Sequence, residues 1–393
     1  MAFTSNTRSI PDAADFETRI SHAYNPVAAD VDGTPLTANE FARYQWNMRM
    51  VFNGAATYAD VLGDAPRDVK VAVFDTYPGH QNHPNLVNRY ETGINTVEGG
   101  TNCNPPTWDG LSGTVSNAHG QAVASVIAAE HGATGIGGVF NRARIIPVRS
   151  SFDTMETAID LAVAAGAEVI HIAGWHIDAS YQDYAVFPDI GEPSTPPLRW
   201  NMKDEATRAY EVARCKAIRE AIERAVWDHN VIVSTVVSNW SGKVSTTLFS
   251  QIHECLTAGA VNCLGEASPF NSATHSMTTL APGGERRTPP SLPHAGTWIS
   301  GPAYTAGQDD VPVCIGPDRY SWGSGGSFSG PHLAAAAAVV KSYIPTATAQ
   351  DVRRMIVRGS QPLRRDNLHL LSANPGHMLS LTGLKAEIVA EMA

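Results

Sequence analysis

Cysteine is scarce. The 393 residues include five, Cys103, Cys215, Cys255, Cys263 and Cys314, with no C-x-x-C pair among them. Sparse and odd in number, they indicate neither a zinc site nor a disulfide framework, and at least one thiol must stay unpaired within a monomer. Basic residues are in the minority, 28 Lys and Arg against 38 Asp and Glu, and no basic run is interleaved with aromatics. That balance of −10 argues against a nucleic-acid-binding surface. Long apolar runs are missing too. The most apolar stretch, 158–174, carries Asp160 and Glu168, so no membrane span is expected. Residues 1–12 hold no apolar core of signal-peptide length. The chain therefore reads as cytoplasmic, although one whose leader had already been removed would look the same. There is no internal repeat and no low-complexity tract.

What is present is a globular composition, 43% hydrophobic and 17% charged, of a length for one large domain or two ordinary ones. After an irregular start, Thr37-Ala38-Asn39-Glu40 has the spacing of a capping box. A helix or helix pair is expected from there to Leu62, with Gly63 as its stop. Val69–Phe74 then reads as a buried strand ending at Asp75. Strands and helices alternate from that point: helix 121–129, strand 143–148, helix 154–165, strand 168–173, helix 203–228, strands 231–237 and 256–262, and helix 331–343. Such alternation implies an α/β fold, a mostly parallel central sheet with helices on both faces. Its ligand site belongs at the carboxyl ends of the strands.

Three residue types of chemical interest fall in telling places. Asp75 ends the first strand, although acids often do. His119 precedes Gly120 and opens a helix of small residues, where a histidine is commonly a cap or a core residue. Ser327 follows Gly325-Gly326 and precedes Phe328-Ser329-Gly330-Pro331-His332. Pro331 suits the first turn of a helix, and a serine there has backbone amides and the positive helix end beside it. In isolation it is an ordinary N-cap.

Taken together, Asp75, His119, Asn239 and Ser327, in that order and each in its own context, resemble the subtilisin-like serine protease family. The resemblance runs from about residue 52 to the C-terminus. It rests on V-A-V-F-D-T with H-P-N-L at 83–86, Asn117-Ala118-His119-Gly120, the strand from Val231 to Asn239, Ala267–Ser272, Ala281-Pro282-Gly283 and Gly325–His332. It implies a subtilisin-like three-layer sandwich over 52–393, preceded by an N-terminal extension at 1–51 with no full propeptide. It implies a serine endopeptidase acting on a peptide or protein substrate. Ser327 would be the nucleophile, His119 the base and Asp75 its orienting partner. Asn239 would donate to the oxyanion, a contact worth roughly 3–4 kcal/mol. Ala173, Gly174 and Trp175 would face Val236, Val237 and Ser238 across a pocket narrowed by added bulk, favouring small side chains. The chain departs from the family at Tyr77, Gln121, Ala122, Gly326, Phe328 and Ser329, none of which removes a proton-transfer group.

No cofactor is implied. Calcium is not expected at the usual family site, the loop Ala129–Ile136, because Gly132 and Asn85 stand where an asparagine and an aspartate are usual. His80 and His83 have metal-ligand spacing without a third ligand, and His332 reads as a packed helix residue. Two long insertions, near 176–202 and 283–321, would flank the groove and make the enzyme a selective processing protease. A peptide ligase or macrocyclase on the same triad, and a non-catalytic binding protein on the same fold, are the alternatives. Nothing in the sequence speaks to oligomeric state.

Overall fold

A computed structural model describes residues 36–39, 42, 45–79, 82–105, 119–132, 135–173, 205–239, 248–263, 265–268, 270–272, 276–284, 311–316, 319–363 and 376–393. The insertion at 176–202 and most of that at 283–321 lie outside them. Along the chain run α1 (Trp46–Val51), α2 (Tyr58–Leu62), β1 (Val69–Asp75), β2 (Ile94–Asn95), α3 (His119–Ala128), β3 (Ala143–Arg149), α4 (Met155–Ala164) and β4 (Val169–Ile172). There follow α5 (Glu205–Trp227), β5 (Ile232–Val236), β6 (Leu256–Val261), β7 (Met277–Pro282), β8 (Val311–Ile315) and β9 (Arg319–Gly323). The chain closes with α6 (Gly326–Tyr343), α7 (Ala349–Gly359), β10 (Gln361–Pro362), β11 (His377–Met378) and α8 (Leu381–Met392).

The inner strands are runs of Val, Ile and Ala because both of their faces are covered. β4, β5 and β6 are buried at every position. Nine strands form one sheet in the order β10-β11-β7-β6-β5-β4-β1-β3-β2, parallel except for the β10–β11 pair. The chain starts in the middle at β1 and builds outward through β2 and β3. It then crosses back to β4 and continues the other way through β5, β6 and β7. That reversal makes the carboxyl ends of β1 and β4 a topological switch point, where an open sheet leaves a crevice. The expected three-layer α/β sandwich is present. α3 and α6 pack on each other and on the sheet, while α4 and α5 pack together beside β2, β3 and β5.

Several local expectations are corrected. Residues 36–38 form bends, while the expected helix pair is present as the short α1 and α2. Thr57 and Asp60 form a capping box ahead of an apolar face, Tyr58, Val61 and Leu62, at helical spacing. Glu40, and with it the box expected at Thr37, lies outside the described residues. Gly63 does end α2, in an ordinary right-handed conformation. α6 begins at Gly326, five residues early, so Pro331 lies inside it and cannot donate to the Ser327 carbonyl one turn back. The end of the second insertion is the antiparallel β8–β9 hairpin.

Part of the segment set aside as an extension belongs to the core. Trp46, Met48, Met50, Val51 and Phe52 are buried in the same apolar cluster as the sheet. Asn47 Nδ2 donates to His332 Nε2 at 3.0 Å, and His332 Nδ1 donates to the Phe328 carbonyl at 2.7 Å, all within the interior. His332 is thus the packed helix residue expected of it. His131, which donates to the Gly138 carbonyl at 2.7 Å, is half-buried against the Tyr58 ring.

Burial pushes both rings down from the usual 6.5 to about 4. The unfolded chain therefore binds more protons than the folded one between about pH 4 and 6.5. This share of stability is complete above about pH 6.5 and is lost as pH falls toward 4, on the order of 3 kcal/mol per ring. Thermal melts at pH 7.5 and 5 check it. The double variant His131→Gln/His332→Gln should show a shallower fall than the wild type, and equal slopes would rule the two rings out as its source.

Candidate active site

β1 delivers Asp75 as its last residue, at the switch point and almost wholly buried. A carboxylate taken out of water needs donors. The Thr76 amide supplies one to Oδ1 at 2.7 Å, and His119 Nδ1 supplies the other to Oδ2 at 2.6 Å. Spending the Nδ1 proton on Asp75 makes Nε2 the basic nitrogen of the neutral ring. His119 can come this near because the next residue is glycine. A Cβ on Gly120 would sit 2.6 Å from the Asp75 Cβ and 2.5 Å from the Pro78 Cα. The first turn of α3 thus lies directly on the end of β1.

Ser327 is the second residue of α6 and is also buried. Its neighbour Phe328 packs edge-on against the His119 ring, with centroids 5.8 Å apart. The imidazole is held between the Asp75 carboxylate and this ring, beside the start of α6. Asn239 stands three residues beyond β5, half-buried. Its Oδ1 accepts the Gly326 amide at 2.7 Å, which leaves Nδ2 as the donor end of the side chain, next to Ser327. The Ser329 hydroxyl donates to the Gly326 carbonyl at 2.9 Å, tightening the same turn. The structure therefore gathers Asp75, His119, Asn239 and Ser327 at one sheet edge.

The expected specificity walls are only partly in view. Gly174 and Trp175 lie outside the described residues. Ala173, Val236 and Val237 are buried. Val236 packs on α6, where a Cβ at Gly330 would come within 2.3 Å of its Cγ1. The Cγ1 methyl of Val236 is thus engaged in sheet–helix packing, where α6 has no side chain of its own. Ser238 is half-buried, and its hydroxyl donates to the Ser272 hydroxyl at 2.8 Å. Among the residues that depart from the family, Tyr77 carries the Arg149 guanidinium 4.4 Å from its ring centroid, and Arg149 also pairs with Glu98 at 2.6 Å. His83 is buried, edge-on to Tyr320, and accepts the Asn85 amide. His80 lies outside the described residues.

One residue noted only as a departure is a tie across the site. Gln121, buried in the first turn of α3, donates through Nε2 to the Gly316 carbonyl at 2.6 Å. Gly316 begins the turn of the β8–β9 hairpin, which leads through Ser324 and Gly325 to Ser327. One turn further along α3, the Ser125 hydroxyl accepts the Cys314 amide at 3.0 Å. An amide side chain two residues after the histidine was the available signal. Its partner, distant in sequence, was not.

A family model described as the Subtilase family matches residues 66–372. No curated relative matches the sequence. Among solved structures the chain resembles a protease from Pseudoalteromonas arctica, at 17% identity and a TM-score of 0.62, over 90% of this chain and 99% of that one. It also resembles the nisin leader peptidase of Lactococcus lactis (17%, TM-score 0.59, 89% and 95% covered). A third is the epidermin leader peptide processing serine protease of Staphylococcus aureus (17%, TM-score 0.62, 90% and 82% covered). At these identities the structures speak to the fold.

The tie at Gln121 is measurable. Gln121→Leu leaves the Gly316 carbonyl without that donor and should cost about 1–3 kcal/mol in urea unfolding. No measurable change would mean that the hairpin does not depend on it.

Proposed function

Because the chain belongs to the subtilase family of serine proteases, we propose that it cleaves peptide bonds through Ser327, His119 and Asp75, with Asn239 in the oxyanion hole. The observation that carries this reading is the buried 2.6 Å His119–Asp75 pair at the switch point, with Phe328 joining that imidazole to the helix that carries Ser327 in its first turn. Asp75 holds the tautomer in which Nε2 accepts a proton and stabilises the ring once it is charged. Ser327 Oγ attacks the scissile carbonyl as its proton passes to Nε2. The imidazolium then returns that proton to the leaving amine, and water repeats the sequence on the acyl-enzyme. The carbonyl oxygen gains its negative charge at the positive end of α6, within reach of the Asn239 amide. Because Gly326 fixes the oxygen end of Asn239, the nitrogen is already turned for that role and need not reorganise during the reaction.

We further read the enzyme as a selective processing protease. Two of the structures it resembles are leader-peptide peptidases by name. The insertions at 176–202 and 283–321, whatever their form, depart from strands at the crevice edge. Loops ordered around an extended peptide make cleavage depend on its sequence.

A fluorophosphonate probe tests the catalytic reading. The folded wild type should label at Ser327, and Ser327→Ala should not. Asn239→Ala should lower kcat by about 10²–10³ with little change in KM, since its contact forms only in the transition state. A folded wild type that stays unlabelled would overturn the assignment.

Selectivity has its own test. Cleavage of a diverse peptide library should concentrate on a few related sequences while a casein mixture is spared. Casein digestion as fast as that of the best peptide would reject the processing role.

A further inference from the structure

The loop that follows α3 is held by side chains from the other end of the chain. Asn39 and Gln45, both buried, precede α1, yet their side chains bond to residues 130–137. Asn39 Nδ2 donates to the Glu130 carbonyl at 3.0 Å and the Ile136 carbonyl at 3.1 Å, and its Oδ1 accepts the Gly132 amide at 3.4 Å. Gln45 makes a closed pair with one peptide unit, donating to the Gly137 carbonyl at 2.7 Å and accepting the Gly137 amide at 2.8 Å. Asn85, from the loop after β1, completes the set. Its carbonyl accepts the Glu130 amide at 2.8 Å, and its Oδ1 accepts the Tyr320 hydroxyl. Gly135 closes over that last contact in the left-handed region, at φ +62°, where a Cβ would collide with both the Asn85 Oδ1 and the Tyr320 oxygen.

This is the loop in which the family resemblance places calcium, and the atoms of its described residues do not fit a cation. A calcium site needs several oxygens turned inward, carboxylates among them. Here the Glu130 and Ile136 carbonyls already face an amide nitrogen, whose orientation is fixed because the other end of the same group must accept from Gly132. The Asn85 oxygen is taken by a hydroxyl. The Glu130 carboxylate is drawn away to Arg89 and Asn88. Among the described residues no three carboxylate, histidine or cysteine groups gather anywhere as metal ligands.

We infer that Asn39 and Gln45 act as an intramolecular strut, which does for the loop after the His119 helix what a bound calcium ion does in related enzymes. The inference goes beyond the proteolytic reading and does not depend on it. An amide nitrogen placed between two carbonyls satisfies them as a cation would, without needing a charge. The consequence concerns processing of the protein itself. A cut before Leu36 leaves the strut attached, whereas a cut after Gln45 separates it from the domain it braces.

Thermal melts of the full-length protein test the strut without reference to activity. The wild type should melt at one temperature in a chelator and in millimolar calcium. Asn39→Ala and Gln45→Ala should each lower the melting temperature by roughly 1–4 °C, with calcium giving no rescue. Asn39→Asp replaces the donor with a carboxylate facing the same carbonyls. It should melt low in chelator and recover in calcium. Hydrogen exchange gives a local reading: Gln45→Ala should speed exchange of the Gly137 amide more than that of the β5 amides. A wild type that melts lower in chelator overturns the inference, and so do alanine variants that melt like the wild type. An Asn39→Asp protein indifferent to calcium would show that the amide does not occupy a cation's place. If an alanine variant fails to fold, the wild-type comparison still decides.

Discussion

A helix buried on every side has to be thin where it meets a sheet, and most of this molecule is arranged around that constraint. α6 is buried from Gly326 to Ser342. It carries five consecutive alanines, at 334–338, and at Gly330 it has no side chain where Val236 and His171 press upward. Small residues let it ride close across β4 to β7. Where it lies is therefore set by the sheet, and its first turn falls at the crevice edge. The position of Ser327 follows from packing along the whole helix. Burial also dictates the polar contacts. His332 is satisfied by Asn47 and the Phe328 carbonyl, and the Lys341 ammonium near the far end donates to the carbonyls of Asn230, Pro345 and Ala347. A cation at that end also suits the helix dipole.

The second constraint is electrostatic. Asp75 is a carboxylate with almost no exposure, and such a group is tolerable only with its oxygens engaged. One donor comes from its own strand's continuation and the other from α3, so the charge itself draws the histidine helix onto the end of β1. Gly120 is what allows the approach. The same pair that stabilises a buried acid orients an imidazole, so the folding requirement and the chemical one are met by a single contact.

These two constraints also explain what was legible in the sequence. Strands buried on both faces announce themselves as apolar runs, and β1, β3, β4, β5 and β6 are where such runs fall. Two of the site residues were readable because glycine marks their element boundary, His119 before Gly120 and Ser327 after Gly326, while Asp75 ends an apolar strand. What escaped had no local mark. The start of α6 at Gly326 was hidden by Pro331, which reads as a helix beginning but lies in the interior. The β8–β9 hairpin is short, and its strands pair with each other apart from the main sheet. Val236 reads as a pocket wall from its place at a strand end, and only the helix lying across it shows that its Cγ1 methyl is engaged in packing. α7 is strongly amphipathic and follows a capping box at Thr348, so it was legible in principle.

α3 is the part on which distant segments converge, and its ten residues are held at three levels. At its start His119 meets Asp75 from β1. In its middle Gln121 and Ser125 hold the hairpin that runs on to Ser327. At its end the chain passes into the loop clamped by Asn39 and Gln45. Each level brings in a different stretch of sequence, and none involves a neighbour closer than about forty residues in the chain. A helix fully buried and tied in this way cannot shift its first turn without breaking contacts along its length. The histidine's position is in this sense a property of the whole assembly, and residues far from the crevice, at 39–45 and at 311–316, take part in defining it.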